Sequence, residues 1–525
     1  MKIIVSLVSN PGTTDARVMK QARSLARAGH KVYIYGRIAA GFSEYEYIND
    51  NIHVYRFECF SENLVKKNKI EEMLSPAGVD VVNLFSSYLN SYFNSINALA
   101  SLLPERNILL SKLYAVNDKI NNIKIKRKKL LKVMNSDYKE LCPMLSIGFF
   151  SYRQFDKRKA YNSNKLEFDR LCLEIEEGKE ERERLKKKLR CFDKDNNREK
   201  YCNKIKEQLY YVRYFFYATN LLDFVGDISP DVIHSHDLHP LLGAVLLSKK
   251  TGAKVVYDAH EIEVERVPPL PVEKKSFIDS LERGLFKKID HIITVCNFAV
   301  DFYDERFPGC RPTLVMNSPE INIDKYKNNF FDIKHLTGLN PKDKVIIYVG
   351  GIGREARGLD KLILSMAKLE DFYLVILGPR HESNDCWLLN LAKEANVAER
   401  IHMLPSVPSD IVVPTIQTAD LGVCLIQDVS LSYRYSMPNK LFEMAFAGVP
   451  IVVSNLPEMS GFIKELNIGV VVDQANPDDI AIGILKAYTY KKMHADFSEI
   501  NKFLEEKYSW HAQEKNLLKV YSMLV

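Results

Sequence analysis

Two short segments concentrate imidazole and carboxylate groups: His234-Ser235-His236-Asp237 and Tyr257-Asp258-Ala259-His260-Glu261. Histidine can act as acid or base, or donate a hydrogen bond to a sugar hydroxyl or a phosphate. One such histidine is usually structural. Two clusters at the ends of two strands of one sheet point to a site, with His260 foremost and His236 beside it. His234, His236 and His260 are also metal-donor types, but nothing in their spacing compels a metal, and none is expected. A third segment, Gly350-Gly351-Ile352-Gly353-Arg354-Glu355-Ala356-Arg357-Gly358, joins close-approach glycines to two arginines suited to phosphate. It is neither G-x-G-x-x-G nor a P-loop, since no G-K-[ST] follows. A fourth, Ser436-Met437-Pro438-Asn439-Lys440-Leu441-Phe442-Glu443, opens on a proline suited to a helix start and puts Lys440 and Glu443 on one face. A fifth, Ser9 to Asp15, places Gly12 where backbone and a helix N-terminus can meet an anion. An ordinary strand–helix turn or a solvated Lys–Glu pair would use the same residues, so each segment taken alone also has a plain structural explanation.

The elements around these segments give them positions. Lys2 to Val8 reads as a buried strand, Asp15 to Ala28 as a helix ended by Gly29, and Lys31 to Tyr35 as the next strand. Strand–helix alternation resumes at Asp231 and runs to Val295, and a second series runs from Val345 to Val453. Two such series predict an α/β protein of two doubly wound, Rossmann-like domains facing a cleft. Ligands of such sheets bind beyond the carboxyl ends of the strands, where the five segments fall. The predicted first domain comprises residues 1–60 and 223–318, and the second 340–480. Residues 61–222 break the alternation and read as a basic helical or coiled-coil insertion. Residues 481–525 read as helices that cross back to the first domain.

The chain has 525 residues and a formal net charge of +6. Residues 121–210 hold 25 Lys+Arg and 15 Asp+Glu, so the rest of the chain is slightly acidic. A charge argument about partners therefore concerns the insertion. Beside an acceptor domain, a basic element bearing Phe and Tyr can rest on anionic lipid. No nucleic-acid-binding module is recognised, and no nucleic-acid partner is expected. The nine scattered cysteines form no C-x-x-C, which argues against a zinc site or a disulfide framework. No apolar run approaches a membrane span, and the expected location is the cytoplasm, peripheral to the inner face of a membrane.

Taken together, the segments resemble the retaining, nucleotide-sugar-dependent glycosyltransferases of family 4, which have the GT-B fold. The resemblance rests on Asp15-Ala16-Arg17 through Ala28-Gly29-His30-Lys31-Val32 and on Asp231 to Asp237 with Val255 to Glu261. It rests further on Tyr348 to Gly351 with Arg357-Gly358, and on Pro438 to Glu443 with Ala447 to Pro450. It covers roughly residues 1–58 and 223–480. It implies a UDP- or GDP-linked donor bound by the second domain, and a glycan or polyprenyl-linked acceptor bound by the first. No cofactor is implied. His260, Arg357 and Glu443 would be the catalytic set: the cleft histidine, the cation on the diphosphate and the carboxylate on the ribose. Gly12, Arg354, Lys440, Asn439 and His236 would add substrate contacts, and backbone near Ser406 and Val407 the nucleobase slot. The chain departs from the family pattern at Gly351, where an arginine is usual, at Arg357, where a lysine is usual, and at one further place. The first of two glutamates eight apart is replaced by Tyr435. A catalytically silent partner subunit and a nucleotide-sugar epimerase are therefore the alternative expectations.

Overall fold

The computed structural model describes residues 1–59, 72–102, 104–141, 152–192, 196–320, 330–354, 356–493 and 498–524. The expected boundary at 60/61 lies outside them. Two sheets organise the chain. The first has eight strands in the order β3-β4-β2-β1-β5-β6-β7-β8. These are β1 Ile3–Leu7, β2 Lys31–Arg37, β3 Tyr45–Asn49, β4 Ile52–Phe57, β5 Val232–His236, β6 Lys254–Ala259, β7 His291–Thr294 and β8 Thr313–Leu314. All neighbours pair in parallel except β3 with β4. The second sheet is parallel, in the order β11-β10-β9-β12-β13-β14. Its strands are β9 Lys344–Val349, β10 Phe372–Leu377, β11 Ile401–Leu404, β12 Leu421–Cys424, β13 Ile451–Ser454 and β14 Gly469–Val472.

The inner strands are largely apolar because helices cover both faces of each sheet, with the buried polar residues of β5 and β6 gathered at their carboxyl ends. β5, β12 and β13 are buried at every position. β3 escapes the sequence reading because it lies at the sheet edge and alternates exposed with half-buried residues, Tyr-Glu-Tyr-Ile-Asn.

The segment read as an insertion is helical at Val79–Leu102, Pro104–Leu141, Tyr152–Phe192 and Asn196–Phe224. Its two ends are built into the first-domain core, while its middle touches that domain at the loop after β2, where Lys128 lies against Gly41 and Phe42. Phe85, Leu89 and Tyr92 of the first helix and Val212, Phe215, Tyr217 and Leu221 of the last are buried in one core with Val5, Ile233 and Tyr257 of the sheet. Burying each such side chain is worth about 1.5–3 kcal/mol, so these ends are structural parts of the first domain. The corrected reading is a pair of core helices from which a helical hairpin, Pro104–Leu141 and Tyr152–Phe192, projects. Along the hairpin, Val116 and Ile120 meet Leu185, and Ile123 meets Leu171 and Ile175.

The final helix, Trp510–Leu524, packs on the first domain. Trp510 Nε1 donates to Ser24 Oγ at 2.9 Å, and Gln513 Oε1 accepts from the Met316 amide at 2.9 Å.

Candidate functional site

The second-domain half is built at the end of β9. Gly350 has φ +122°, a conformation side chains rarely adopt. A Cβ there would lie 3.8 Å from Arg357 Nη1 and 3.9 Å from both Lys440 Nζ and the Tyr348 hydroxyl. Two cations therefore flank a backbone left bare of side chain. Lys440 is buried to 7% exposure, with its Nζ 4.0 Å from the centre of the Tyr348 ring. The Tyr348 hydroxyl in turn donates to the Gly351 carbonyl at 3.1 Å. Lys440 and Glu443 come from the helix Asn439–Phe446, which begins directly after Pro438. Burial raises the Glu443 pKa, while the charges of Lys20 and Lys440 oppose the rise.

Lys20 belongs to the first-domain helix Ala16–Arg27. Its Nζ donates to Asn317 Oδ1 at 2.7 Å and to the Ser318 carbonyl, and lies 5.1 Å from the Trp510 ring centre. Burial and then Arg17 pull its pKa down to about 7, against the opposing charge of Glu443.

The first-domain half centres on Asp258, fully buried at the end of β6. Arg17 holds both its oxygens, Nε to Oδ2 at 2.9 Å and Nη2 to Oδ1 at 2.6 Å, and Gln21 Nε2 adds a bond of 2.8 Å. Burial would raise this carboxyl, but Arg17 foremost and then His260 hold it well below the usual range. His260 Nε2 lies 3.2 Å from Asp258 Oδ2, and Nδ1 lies 3.5 Å from Asp237 Oδ2. Burial would lower His260, but the two carboxylates outweigh it and hold its pKa up at about 9. His260 is thus an imidazolium at neutral pH, with both ring nitrogens turned toward carboxylates.

The halves meet around a cavity of about 330 Å³, lined among others by Asp15, His260, Asn317, Tyr433, Pro438 and Asn439. Ser432 Oγ accepts from the Ile262 amide at 3.1 Å. Tyr435 stacks face to face on Phe298 of the first domain, with centroids 3.6 Å apart and planes 4° from parallel. The position where the family pattern has a glutamate is therefore a contact between domains.

The other sequence candidates fall as follows. Asn439 lines the cavity, while His236 is only 3% exposed, bonded to Ser6 Oγ at 2.9 Å and to His260 at 3.2 Å. Its contact is with His260, as a buried support. Gly12 is held within its own turn. Its amide is taken by Asn10 Oδ1 at 2.8 Å and its carbonyl by the Asp15 amide at 3.0 Å. Its φ of +82° and a Cβ path only 3.1 Å from Ile34 favour glycine at this position. Arg354 is exposed and donates to the Ser383 carbonyl at 3.1 Å. Ser406 and Val407 follow β11 at the sheet edge, two strands from Gly350. For metal binding, the group that comes together is His234, His236 and Asp258, with ligand atoms within 4.8 Å of one another. Arg17 occupies both Asp258 oxygens, and His234 Nδ1 is 2.6 Å from the Tyr521 hydroxyl. Sequence reasoning missed Lys20, Tyr348 and the bond between Arg17 and Asp258. Each joins residues far apart in the chain, and only the cluster around Asp258 carried a local signal.

Comparison with known proteins places these halves. Residues 177–317 match the family model described as Glycosyltransferase Family 4, and residues 330–503 the one described as Glycosyl transferases group 1. An uncharacterized glycosyltransferase of Methanocaldococcus jannaschii is 25% identical over 313 residues, which span 58% of this chain and 77% of that one. The fold is similar to sucrose-phosphate synthase from Thermosynechococcus elongatus, with TM-score 0.62, 10% identity and coverage of 100% of this chain and 99% of that one. It is also similar to a glycosyltransferase from Rickettsia africae, with TM-score 0.53, 12% identity and coverage of 100% and 98%. Two parallel-sheet domains meeting at a cleft, each overlapping a glycosyltransferase family segment, make this chain a glycosyltransferase of the GT-B fold.

Proposed function

We propose that the chain transfers a sugar from a UDP- or GDP-linked donor, with retention of configuration, to a glycan or polyprenyl-linked acceptor. One observation carries this reading. Arg357 and Lys440 bracket the bare backbone of Gly350, and Asn439, the chain neighbour of Lys440, lines the cavity that holds His260. The leaving nucleoside diphosphate gains negative charge as the glycosidic bond breaks, and fixed cations in a partly buried site stabilise that charge. In this reading Arg357 and Lys440 hold the diphosphate without a metal, and Glu443 takes the ribose hydroxyls. Backbone near Ser406 and Val407 receives the base, and His260 meets the transferred sugar. The acceptor enters from the first domain, and the basic hairpin faces an anionic membrane surface.

A panel of UDP- and GDP-sugars, followed for transfer and for hydrolysis, tests the assignment. Arg357→Ala and Glu443→Ala should each lower turnover by about 10²–10³-fold with the unfolding transition intact. Unchanged rates in both variants would sink it. The anomeric configuration of the product, read by NMR, decides retention.

The Tyr435–Phe298 stack, at the position of the missing glutamate, favours a second reading as a silent partner subunit. Absence of nucleotide binding by calorimetry, together with a stable complex with another transferase, would select that reading. An epimerase would instead convert the donor when no acceptor is present.

A further inference from the structure

A second, larger cavity of about 730 Å³ opens between the loop after β2 and the hairpin helix Pro104–Leu141. Ile38, Phe42 and Glu44 line one side, and Asn122, Lys128 and Lys129 the other. Neither glycosyltransferase family segment includes these residues. The volume lies within the range of small-ligand sites.

The walls are fixed from beneath. Arg56 is fully buried under the loop and donates to the Ser43 carbonyl at 2.9 Å, to Glu46 Oε2 at 2.6 Å and to Thr13 Oγ1 at 2.8 Å. Its guanidinium also lies 5.1 Å from the Phe42 ring centre. Glu46 is thereby paired with Arg56. On the opposite wall, Lys128 lies against Gly41, where a Cβ would collide with its side chain, and its Nζ is 5.9 Å from the Phe42 ring. Lys128 and Lys129 form no ion pair among the described residues. Two cations with no ion pair among the described residues therefore stand beside an aromatic ring, an amide and an exposed carboxylate.

That set suits a carbohydrate bearing an anionic group. An aromatic ring and Ile38 suit the apolar face of a pyranose, Asn122 and Glu44 suit its hydroxyls, and the lysines suit phosphate as point charges. The cavity is also one turn from the cleft. Arg56 binds the Pro11 carbonyl at 2.7 Å, the same turn carries Asn10, and Asn10 Nδ2 donates to Asp15 Oδ2 at 2.9 Å. Asp15 lines the cleft cavity with His260. The Asn10–Asp15 turn therefore lies between this cavity and the cleft cavity.

We propose that this cavity is an acceptor subsite for a sugar carrying a phosphate or diphosphate group, gripped by Lys128 and Lys129 and seated on Phe42. The assignment rests on the transfer reading above for its role as acceptor site, and on this cavity alone for its ligand class.

The test is titration calorimetry on the full chain. The probes are glucose 6-phosphate, glucose, and farnesyl-diphosphate-linked N-acetylglucosamine in neutral detergent micelles, with UDP and GDP titrated separately. The phosphorylated probes should bind and glucose should bind far more weakly. Lys128→Glu combined with Lys129→Glu should weaken them by about tenfold or more, the loss expected for a charge-assisted contact. Both lysines are exposed on a helix, so the double variant should fold, and Phe42→Leu provides a second, milder probe of the ring. Binding of the free sugar phosphate identifies a soluble anionic acceptor, and binding of the micellar probe alone identifies a lipid-linked one. Equal affinity for glucose and glucose 6-phosphate, no binding of any probe, or no effect of the double variant each overturns the subsite. Loss of UDP and GDP binding in the parent protein would count against the transfer reading and leaves the sugar-phosphate result to stand on its own.

Discussion

At the scale of single residues, His260 is governed by its neighbours. Asp237 and Asp258 face its two ring nitrogens, and Arg17, Asp15 and His236 stand close behind. Because the folded pKa of about 9 lies above the unfolded value, the ion pairs add stability that is complete below ordinary histidine pH. That stability is lost as the pH rises through about 9. Asp237→Asn removes one carboxylate and keeps a side chain that tolerates the φ of +64° at this position. The His260 titration, followed by imidazole NMR, should move to lower pH in this variant. An unmoved midpoint would mean that Asp258 alone sets the charge. Asp258→Asn is the poorer test, because it strands the buried Arg17 and costs about 3–5 kcal/mol of stability.

At the scale of elements, the short segment before the helix Asn439–Phe446 joins the two domains. Tyr435 lies flat on Phe298, Ser432 bonds to Ile262 in both directions, and the Phe298 amide donates to Glu458 Oε1 at 3.1 Å. A stacked aromatic pair adds about 0.5–1.5 kcal/mol beyond its buried area. Tyr435→Ala should therefore lower stability by at least about 0.5–1.5 kcal/mol, read as an earlier midpoint in chemical denaturation. Tyr435→Phe should leave the midpoint nearly unchanged. The element also explains part of what the sequence could convey. Its Pro-x-Lys-x-x-Glu pattern announced the helix and its charged face. The tyrosine, read only as a missing glutamate, gave no hint of a partner more than a hundred residues away in the chain.

At the scale of the molecule, the hairpin is separable and its roots are not. A chain lacking residues 62–220 would lose Phe85, Phe215, Phe216 and Tyr217 from the main core and should fail to show a cooperative unfolding transition. A chain in which a short Gly/Ser turn replaces residues 104–192 keeps the paired core helices and should unfold cooperatively. If the basic hairpin rests on anionic lipid, the intact protein should co-sediment with phosphatidylserine vesicles, less so at high salt, and the shortened chain should not. Equal sedimentation of both chains would remove the membrane role.

The sequence by itself determined the two alternating series, because buried parallel strands are mostly apolar and their helices keep one apolar face. It likewise located the glycine–arginine loop, the His/carboxylate clusters and the Lys440–Glu443 face, since each is local chemistry at a strand end or helix start. Tertiary structure decided the rest. It paired Arg17 with Asp258, set Lys20 of the first domain near Glu443 of the second, and spent the amide of Gly12 within its own turn. It also divided residues 72–224 into core helices and a projecting hairpin, because aromatic residues at helical spacing look alike whether they face a sheet or another helix. The partners in each case are distant in sequence, and no local pattern of types or spacing records which distant groups folding will bring together.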